Sequence, residues 1–467
     1  MSTFKMLPLA LGLAMTAPLA HATDLLSIAR DALENNASLL GSRAGVNATQ
    51  EGEATARSAF LPQINASAGV TRYDNHSSQY AQSGSTTSSA AAQKRYTATS
   101  SSISASQSLF DASSWYALKE AKRTTEQARL QLAGTEQTLL YNVANAYFTV
   151  LKARDVLDTY RAEEEAYARQ LDQVRQQFKV GVVAATDVRE AEASFDSAQA
   201  QRIAQESTLQ VAFEALEQLT GKQYASLDAL DDAMPIEAPV PARRDAWVDM
   251  ATTGNLAVQA ARAGIDVARE SVKEARAGHL PTLSASASYT YGDSNRDAYH
   301  GYDEGGSVGL TASLPIYSGG ATSASVRKAT YTLEQTQFNA EESLREAIQS
   351  VNSYFAQSSN DVHTIRARQR AIVSSRASLE ATRNGYEAGT RTILDVLNAQ
   401  ETYYSAVASY AEARYDYVLH VLALRQYAGI LDVNALSAIN QWLRADRAVH
   451  IDGVDTRVVG SATGARS

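Results

Sequence analysis

Apolar positions along this chain follow two periodicities. Four segments alternate with period two, the pattern of strands buried on one face. In 282–291, Leu283, Ala285, Ala287, Tyr289 and Tyr291 share one face, and Thr282, Ser284, Ser286, Ser288 and Thr290 share the other. Segment 307–314 sets Val308, Leu310, Ala312 and Leu314 against Ser307, Gly309, Thr311 and Ser313. Segments 63–72 and 98–110 repeat the pattern more faintly. Strands of about ten residues with one apolar and one hydroxyl face suit an outer-membrane barrel, or the edge of a soluble sandwich. The polar loops within each pair, 74–96 and 293–305, have the composition of exposed tips.

Two longer stretches, about 113–177 and 321–385, contain no proline and take helical spacing. Leu132, Leu139, Val143, Ala146, Val150, Ala153, Leu157 and Tyr160 follow steps of seven, four and three. Leu344, Ile348, Val351, Phe355, Ser358, Val362 and Ile365 alternate steps of four and three. Such heptad stripes predict helices that pack as coiled coils. At 1.5 Å per residue each would run roughly 100 Å, which suits a structure crossing a wide space.

Both patterns occur twice because the chain is a tandem repeat. "ARSAFLPQINASAGVT" (56–71) aligns with "ARAGHLPTLSASASYT" (275–290) at an offset of 219, and Asn36 and Gly45 align with Asn255 and Gly264. "SQSLFD" (106–111) aligns with "SLPIYS" (313–318) at 207, so the first copy carries the longer loop between its strands. Each helical stretch then ends in a related turn, "FKVGVVAATDVREAEA" (178–193) and "YEAGTRTILDVLNAQE" (386–401), at 208. Gly181 and Gly389 can adopt the left-handed backbone that stops a helix. Thr186 or Asp187, and Thr392 or Asp395, can cap the helix that follows. Each copy is therefore predicted to be a helical hairpin with this turn at its tip. Capping alone would account for these residues, or they have a further role.

The resulting organisation is a secretory signal over 1–22, a first repeat over 23–221, a linker over 222–245, a second repeat over 246–429 and a C-terminal segment over 430–467. The signal shows Lys5, an apolar run from Met6 to Leu19, and Ala20-His21-Ala22 as cleavage site. Pro235, Pro239 and Pro241 mark the linker, and the polar end beyond about 445 reads as disordered.

Composition narrows the function. A formal charge of −9 argues against a nucleic-acid partner. With no cysteine, thiolate metal sites are excluded and no lipid-attachment Cys follows the signal. The seven histidines are scattered, and H-E-x-x-H, P-loop and G-x-S-x-G patterns are all missing, so no enzyme, catalytic residue, metal site or cofactor is expected. Past the signal, no apolar run reaches the ~18 residues of a transmembrane helix. Four strands cannot close a barrel, since membrane barrels begin at about eight, and open edges in lipid leave backbone groups unpaired. If the strands enter a membrane, several chains must share one barrel. The competing expectation is a periplasmic coiled-coil adaptor or spacer without a pore.

The twofold repeat, both "AR…LP" strand starts and the turns "FKVGVVAATDV" and "YEAGTRTILDV" resemble the TolC family of outer-membrane export channels, over nearly the whole chain after the signal. The resemblance implies a mixed α+β fold: a homotrimer with a twelve-stranded β-barrel, four strands per chain, in outer-membrane lipid and a long periplasmic α-barrel. It further implies passive export, with a periplasmic adaptor docking at the helical tips and an inner-membrane ABC or RND-type transporter driving substrates. The missing lipid-attachment Cys places the chain nearer the type I secretion branch.

Residue by residue, the resemblance implies a latch between hairpins, with Tyr386 bonded to Asp187 and Arg391 paired with Asp187 and Thr186. Asp395 matches one acidic ring of a pore constriction, while Asn398 stands where the family has a second acid, implying weaker block by multivalent cations. Gly181, Val182, Val183, Gly389, Thr390 and Arg391 would meet the adaptor.

Overall fold

The computed structural model describes residues 23–74, 95–295 and 302–450. The expected signal, the stretch beyond 450 and most of both strand-connecting loops lie outside them. The described residues fall into two compact units, each gathered from separated stretches of chain: those within 41–135 and 252–348, and those within 23–40, 136–251 and 349–450.

The first unit carries the sheet. Strands β1 (Gln63–Asp74), β2 (Arg95–Phe110), β4 (Thr282–Ser294) and β5 (Tyr302–Ser313) form one antiparallel sheet in the order β1-β2-β4-β5. The registers Ala66↔Ile103, Ile103↔Tyr289 and Ala287↔Val308 keep the apolar residues of all four strands on one face. The opposite face is built of Ser, Thr and Gly, tied by hydroxyl contacts from Ser67 to Ser102 (2.8 Å) and from Ser288 to Ser307 (2.9 Å). Among the described residues the apolar face is uncovered: Val308 is 89% exposed and Ile64 71%. β5 stops at Ser313, two residues before Pro315, which has no N–H to give the ladder.

The repeat is visible in how each sheet half begins. Helices α2 (Ala37–Ser58) and α6 (Leu256–Ala277) are capped by the aligned asparagines: Asn36 Oδ1 accepts from Leu39 N–H (3.0 Å) and Asn255 Oδ1 from Val258 N–H (3.1 Å). Both helices end in the same tight turn before Pro62 and Pro281, with Leu61 N–H donating to Ser58 O and Leu280 N–H to Ala277 O.

The second unit holds the far ends of two long hairpins. Helices α3 (Ala112–Lys179) and α7 (Ala321–Glu387), 68 and 67 residues long, each turn back into α4 (Ala185–Thr220) and α8 (Ile393–Tyr427). The heptad stripe is buried as its spacing predicts: Val143 and Val150 are fully covered, as are Val351 and Ser358. Helix α1 (Leu25–Asn35) packs here with α9 (Val433–Asn440), and α5 (Arg244–Gly254) places Trp247 against Val351 and Leu424.

One expectation is corrected here. The segment expected to be disordered from about 445 begins inside a strand: β6 (Leu443–His450) pairs antiparallel with β3 (Ser226–Leu230) of the linker. Charge holds this pair in place. Arg414 of α8 donates to Asp232 Oδ1 (2.7 Å) and Asp231 O (2.9 Å), while Arg447 and Arg444 pair with the same two aspartates at 2.7 Å. No helix among the described residues is long and apolar enough to cross a membrane.

Candidate gate at the helical turns

Each hairpin turns on one glycine. Gly181 (φ 77°) and Gly389 (φ 73°) occupy the left-handed region that a side chain disfavours. Around both, the same pair of bonds closes the helix: Gly181 N–H to Phe178 O with Val182 N–H to Gln177 O, and Gly389 N–H to Tyr386 O with Thr390 N–H to Gly385 O.

The helices that leave the turns start differently. Thr392 caps α8 by accepting from Asp395 N–H (3.2 Å), and Asp395 Oδ2 accepts from Thr392 N–H and its hydroxyl, both at 2.9 Å. These hydrogen bonds hold the Asp395 carboxyl below the usual carboxylate range. In the first copy the aligned cap position is Ala184, which has no acceptor. Asp187 reaches back alone, accepting from Ala184 N–H at 3.4 Å, and Thr186 donates to its other oxygen at 3.4 Å.

Behind the turns the two hairpins share a core of Tyr167, Leu171 and Val174 from α3, Ala191 and Ala198 from α4, Leu379 from α7, and Ile393, Val396 and Leu397 from α8. Tyr167 adds a hydrogen bond from its hydroxyl to Leu397 O (3.2 Å). On the first hairpin Glu192 binds both Arg175 (2.9 Å) and Arg189 (2.7 Å), which hold its carboxyl low.

The structure brings Tyr386 and Asp187 close but does not bond them. Tyr386 donates its one proton to Gln177 Oε1 at 2.8 Å, whereas Asp187 is drawn back onto its own helix start. Burial, and then the nearby Asp187 charge, push the Tyr386 hydroxyl up. Among the described residues Arg391 pairs with neither Asp187 nor Thr186. Its stem lies over Gly385, where an added Cβ would meet Arg391 Cγ at 2.7 Å, and its charge acts on Asp395. Asn398 is exposed beside the partly exposed Asp395. Of the residues expected at the tips, Val182 is 69% exposed, Gly181, Gly389, Thr390 and Arg391 are exposed, and Val183 turns in against the shared core.

Sequence reasoning missed Gln177 and Gly385. The signal was present: they occupy aligned positions in the two repeats, as do Phe178 and Tyr386. A donor-acceptor pair therefore forms in one direction only, from the second hairpin to the first.

Residues 28–222 and 247–430 match the sequence model of the outer membrane efflux protein family, one block for each repeat. The chain belongs to that family. Outer membrane protein TolC of Vibrio cholerae is 35% identical over 452 residues, covering 94% of this chain and 99% of that protein. Alkaline protease secretion protein AprF of Pseudomonas aeruginosa is 35% identical over 338 residues, 71% of this chain and 70% of that one. The crystal structure of the outer membrane protein VceC from Vibrio cholerae superposes with a TM-score of 0.72 over 87% of this chain and 96% of that chain, at 18% identity. The efflux-protein fold thus joins the sheet and hairpins described above, and the chain is an outer-membrane efflux or secretion channel. The spacer expectation falls with that membership.

Proposed function

We infer that three copies of this chain pool their strands into a twelve-stranded transmembrane β-barrel and their hairpins into a tunnel that extends into the periplasm. The observation that carries this reading is the sheet: its apolar face is exposed and its edge strands, β1 and β5, are unpaired among the described residues. Lipid accepts such a face but not such edges. An even number of antiparallel strands lets β5 of one copy meet β1 of the next in antiparallel register, removing every edge at once.

Export through the tunnel is passive. An inner-membrane ABC or RND-type transporter supplies the drive, and a periplasmic adaptor meets the turns at Gly181, Val182, Val183, Gly389, Thr390 and Arg391. Likeness to a protease secretion protein supports proteins as cargo, as in type I secretion. The closed state is latched by the hydrogen bond from Tyr386 of the second hairpin to Gln177 of the first, with Arg391, lying over Gly385 and acting on Asp395, keeping the second turn in place. Asp395 and Asn398 line the constriction.

Single-channel conductance of the purified protein in a planar bilayer tests this, unmodified and as Arg391→Ser with Tyr386→Phe. A small, steady conductance that rises severalfold in the double variant is expected. Equal conductance in both overturns the latch, and no channel in either, with intact trimers, overturns the pore.

A further inference from the structure

Contacts set the helical segments of the first unit side by side in the order α2, α3, α6, α7. Arg129 of α3 donates to Gln50 of α2 (3.4 Å). Gly264 of α6 lies between its two neighbours: a Cβ there would sit 3.0 Å from Gln127 Nε2 of α3 and 3.6 Å from Thr336 Cγ2 of α7. Gly134 of α3 approaches Leu256 of α6 in the same way, at 3.7 Å from an added Cβ to Leu256 Cβ. The two repeats therefore meet at one joint, α3 on α6, and the layer ends in α2 on one side and α7 on the other.

Repeat alignment shows what those two sides are shaped for. The offset of 207 carries Glu120, Thr124, Gln127 and Gln131 of α3 onto Arg327, Tyr331, Glu334 and Phe338 of α7, a stripe with heptad steps of four and three. On α3 the first three are half-buried; on α7 all four are exposed, Tyr331 by 67% and Phe338 by 62%. Two such rings seven residues apart form a coiled-coil seam without its second helix. The offset of 219 carries Gly264, Glu270 and Ser271 of α6 onto Gly45, Glu51 and Gly52 of α2. A Cβ at Gly45 or Gly52 would meet nothing within 4 Å, so this side of α2 has room for large side chains. Charge changes sign in the transfer. In the chain's own joint Glu120 faces carboxylates: burial, and then hydrogen bonding with Glu274, push its carboxyl up to about 7. Transferred, Arg327 stands in place of Glu120 opposite Glu51. Gln127 and Thr336, which converge on Gly264, become Glu334 and Arg129 converging on Gly45.

We propose that the exposed stripe of α7 docks on α2 of a second copy of this chain: Tyr331 and Phe338 pack over the neighbour's Gly45 and Gly52, Arg327 pairs with its Glu51, and Glu334 with its Arg129. The occupant is a second copy because the chain itself holds the template for the joint and both halves of each charge pair. Helix α2 leads into β1 and α7 follows β5, so the helices join in the same sense as the strands. A head-to-tail contact of this kind closes into a ring. The inference rests on the three-copy reading above and supplies the residues that specify it.

The chain has no cysteine, so Gly45→Cys with Glu334→Cys introduces the only thiols. Oxidation of the full-length protein in detergent, read on denaturing gels, should give covalent trimers as the main product, because each copy links to both neighbours. The matched pair Gly264→Cys with Gln127→Cys, the same joint inside one chain, should consume its thiols and remain a monomer. If the first pair also yields only monomer, the seam is overturned. Charge exchange tests it without new bonds. Arg129→Glu and Glu334→Arg should each lower the trimer fraction about threefold or more at low salt, and less at 1 M. The double exchange should restore it, and failure to restore overturns the pairing. The pore reading fails separately: conducting trimers indifferent to all these substitutions keep the pore and overturn the seam, while cross-linked trimers that never conduct do the reverse.

Discussion

Tyr386 and Gln177, 209 residues apart, are joined by a hydrogen bond of 2.8 Å that crosses from the second hairpin to the first. A partly buried neutral bond of this kind contributes about 0.5–1.5 kcal/mol. Tyr386→Phe and Gln177→Leu should each raise open-channel occupancy, and the double variant should exceed the larger single by little. That coupling, read from single-channel records as a double-mutant cycle, separates a true pair from two independent residues.

Gly385 and Gly389 should respond differently to alanine. At Gly385 the new Cβ would lie 2.7 Å from Arg391 Cγ, so Gly385→Ala should displace Arg391 and raise conductance as Arg391→Ser does, with trimers intact. At Gly389 nothing lies within 4 Å, but φ is 73°, so Gly389→Ala should strain the turn by about 1 kcal/mol. Faster amide exchange over 388–394 would report it.

Asp395 combines a helix cap with a pore charge, and two variants separate them. Asp395→Asn keeps an acceptor for Thr392 and loses the charge; Asp395→Ala loses both, leaving Thr392 N–H without its side-chain acceptor. Block by a trivalent cobalt complex should disappear in both, while amide protection at the start of α8 falls only in the alanine variant. Because the carboxyl is held below 3.8, its charge is lost only as pH falls through that lowered value. Block should therefore be level from pH 8 to pH 5, and weak, as Asn398 implies.

Arg414 has 7% of its side chain exposed and depends on Asp232 for its ion pair. Asp232→Ala leaves that guanidinium uncompensated and releases Arg447, so a loss of about 1–3 kcal/mol is expected. Replacing Arg414 itself with Met should cost less, since no buried charge remains. Thermal unfolding of both variants decides the order.

Much of this was legible before any coordinates. The aligned Asn36 and Asn255, the Leu-Pro strand starts and the paired turn glycines each encode a local requirement, a cap or a positive φ, that two copies state twice. The alternating strands could be read because one face is apolar and the other is hydroxyl. What escaped the sequence depends on distant partners. β3 and β6 lie more than 200 residues apart and are too short to show a period. Gln177 looks like any polar helix residue until Tyr386 is opposite it. The expected Tyr386–Asp187 bond gave way because Ala184 cannot cap α4, and Asp187 is used for that instead.

The hydroxyl face of the sheet bears on how cargo would travel. In the proposed barrel Ser67, Ser102, Ser288 and Ser307 line the passage, and each can give or take a hydrogen bond much as water does. A solute sliding past trades one such bond for another of similar strength, so no position along the wall retains it. Short dwell times, rather than recognition, would then set the rate at which unrelated molecules leave.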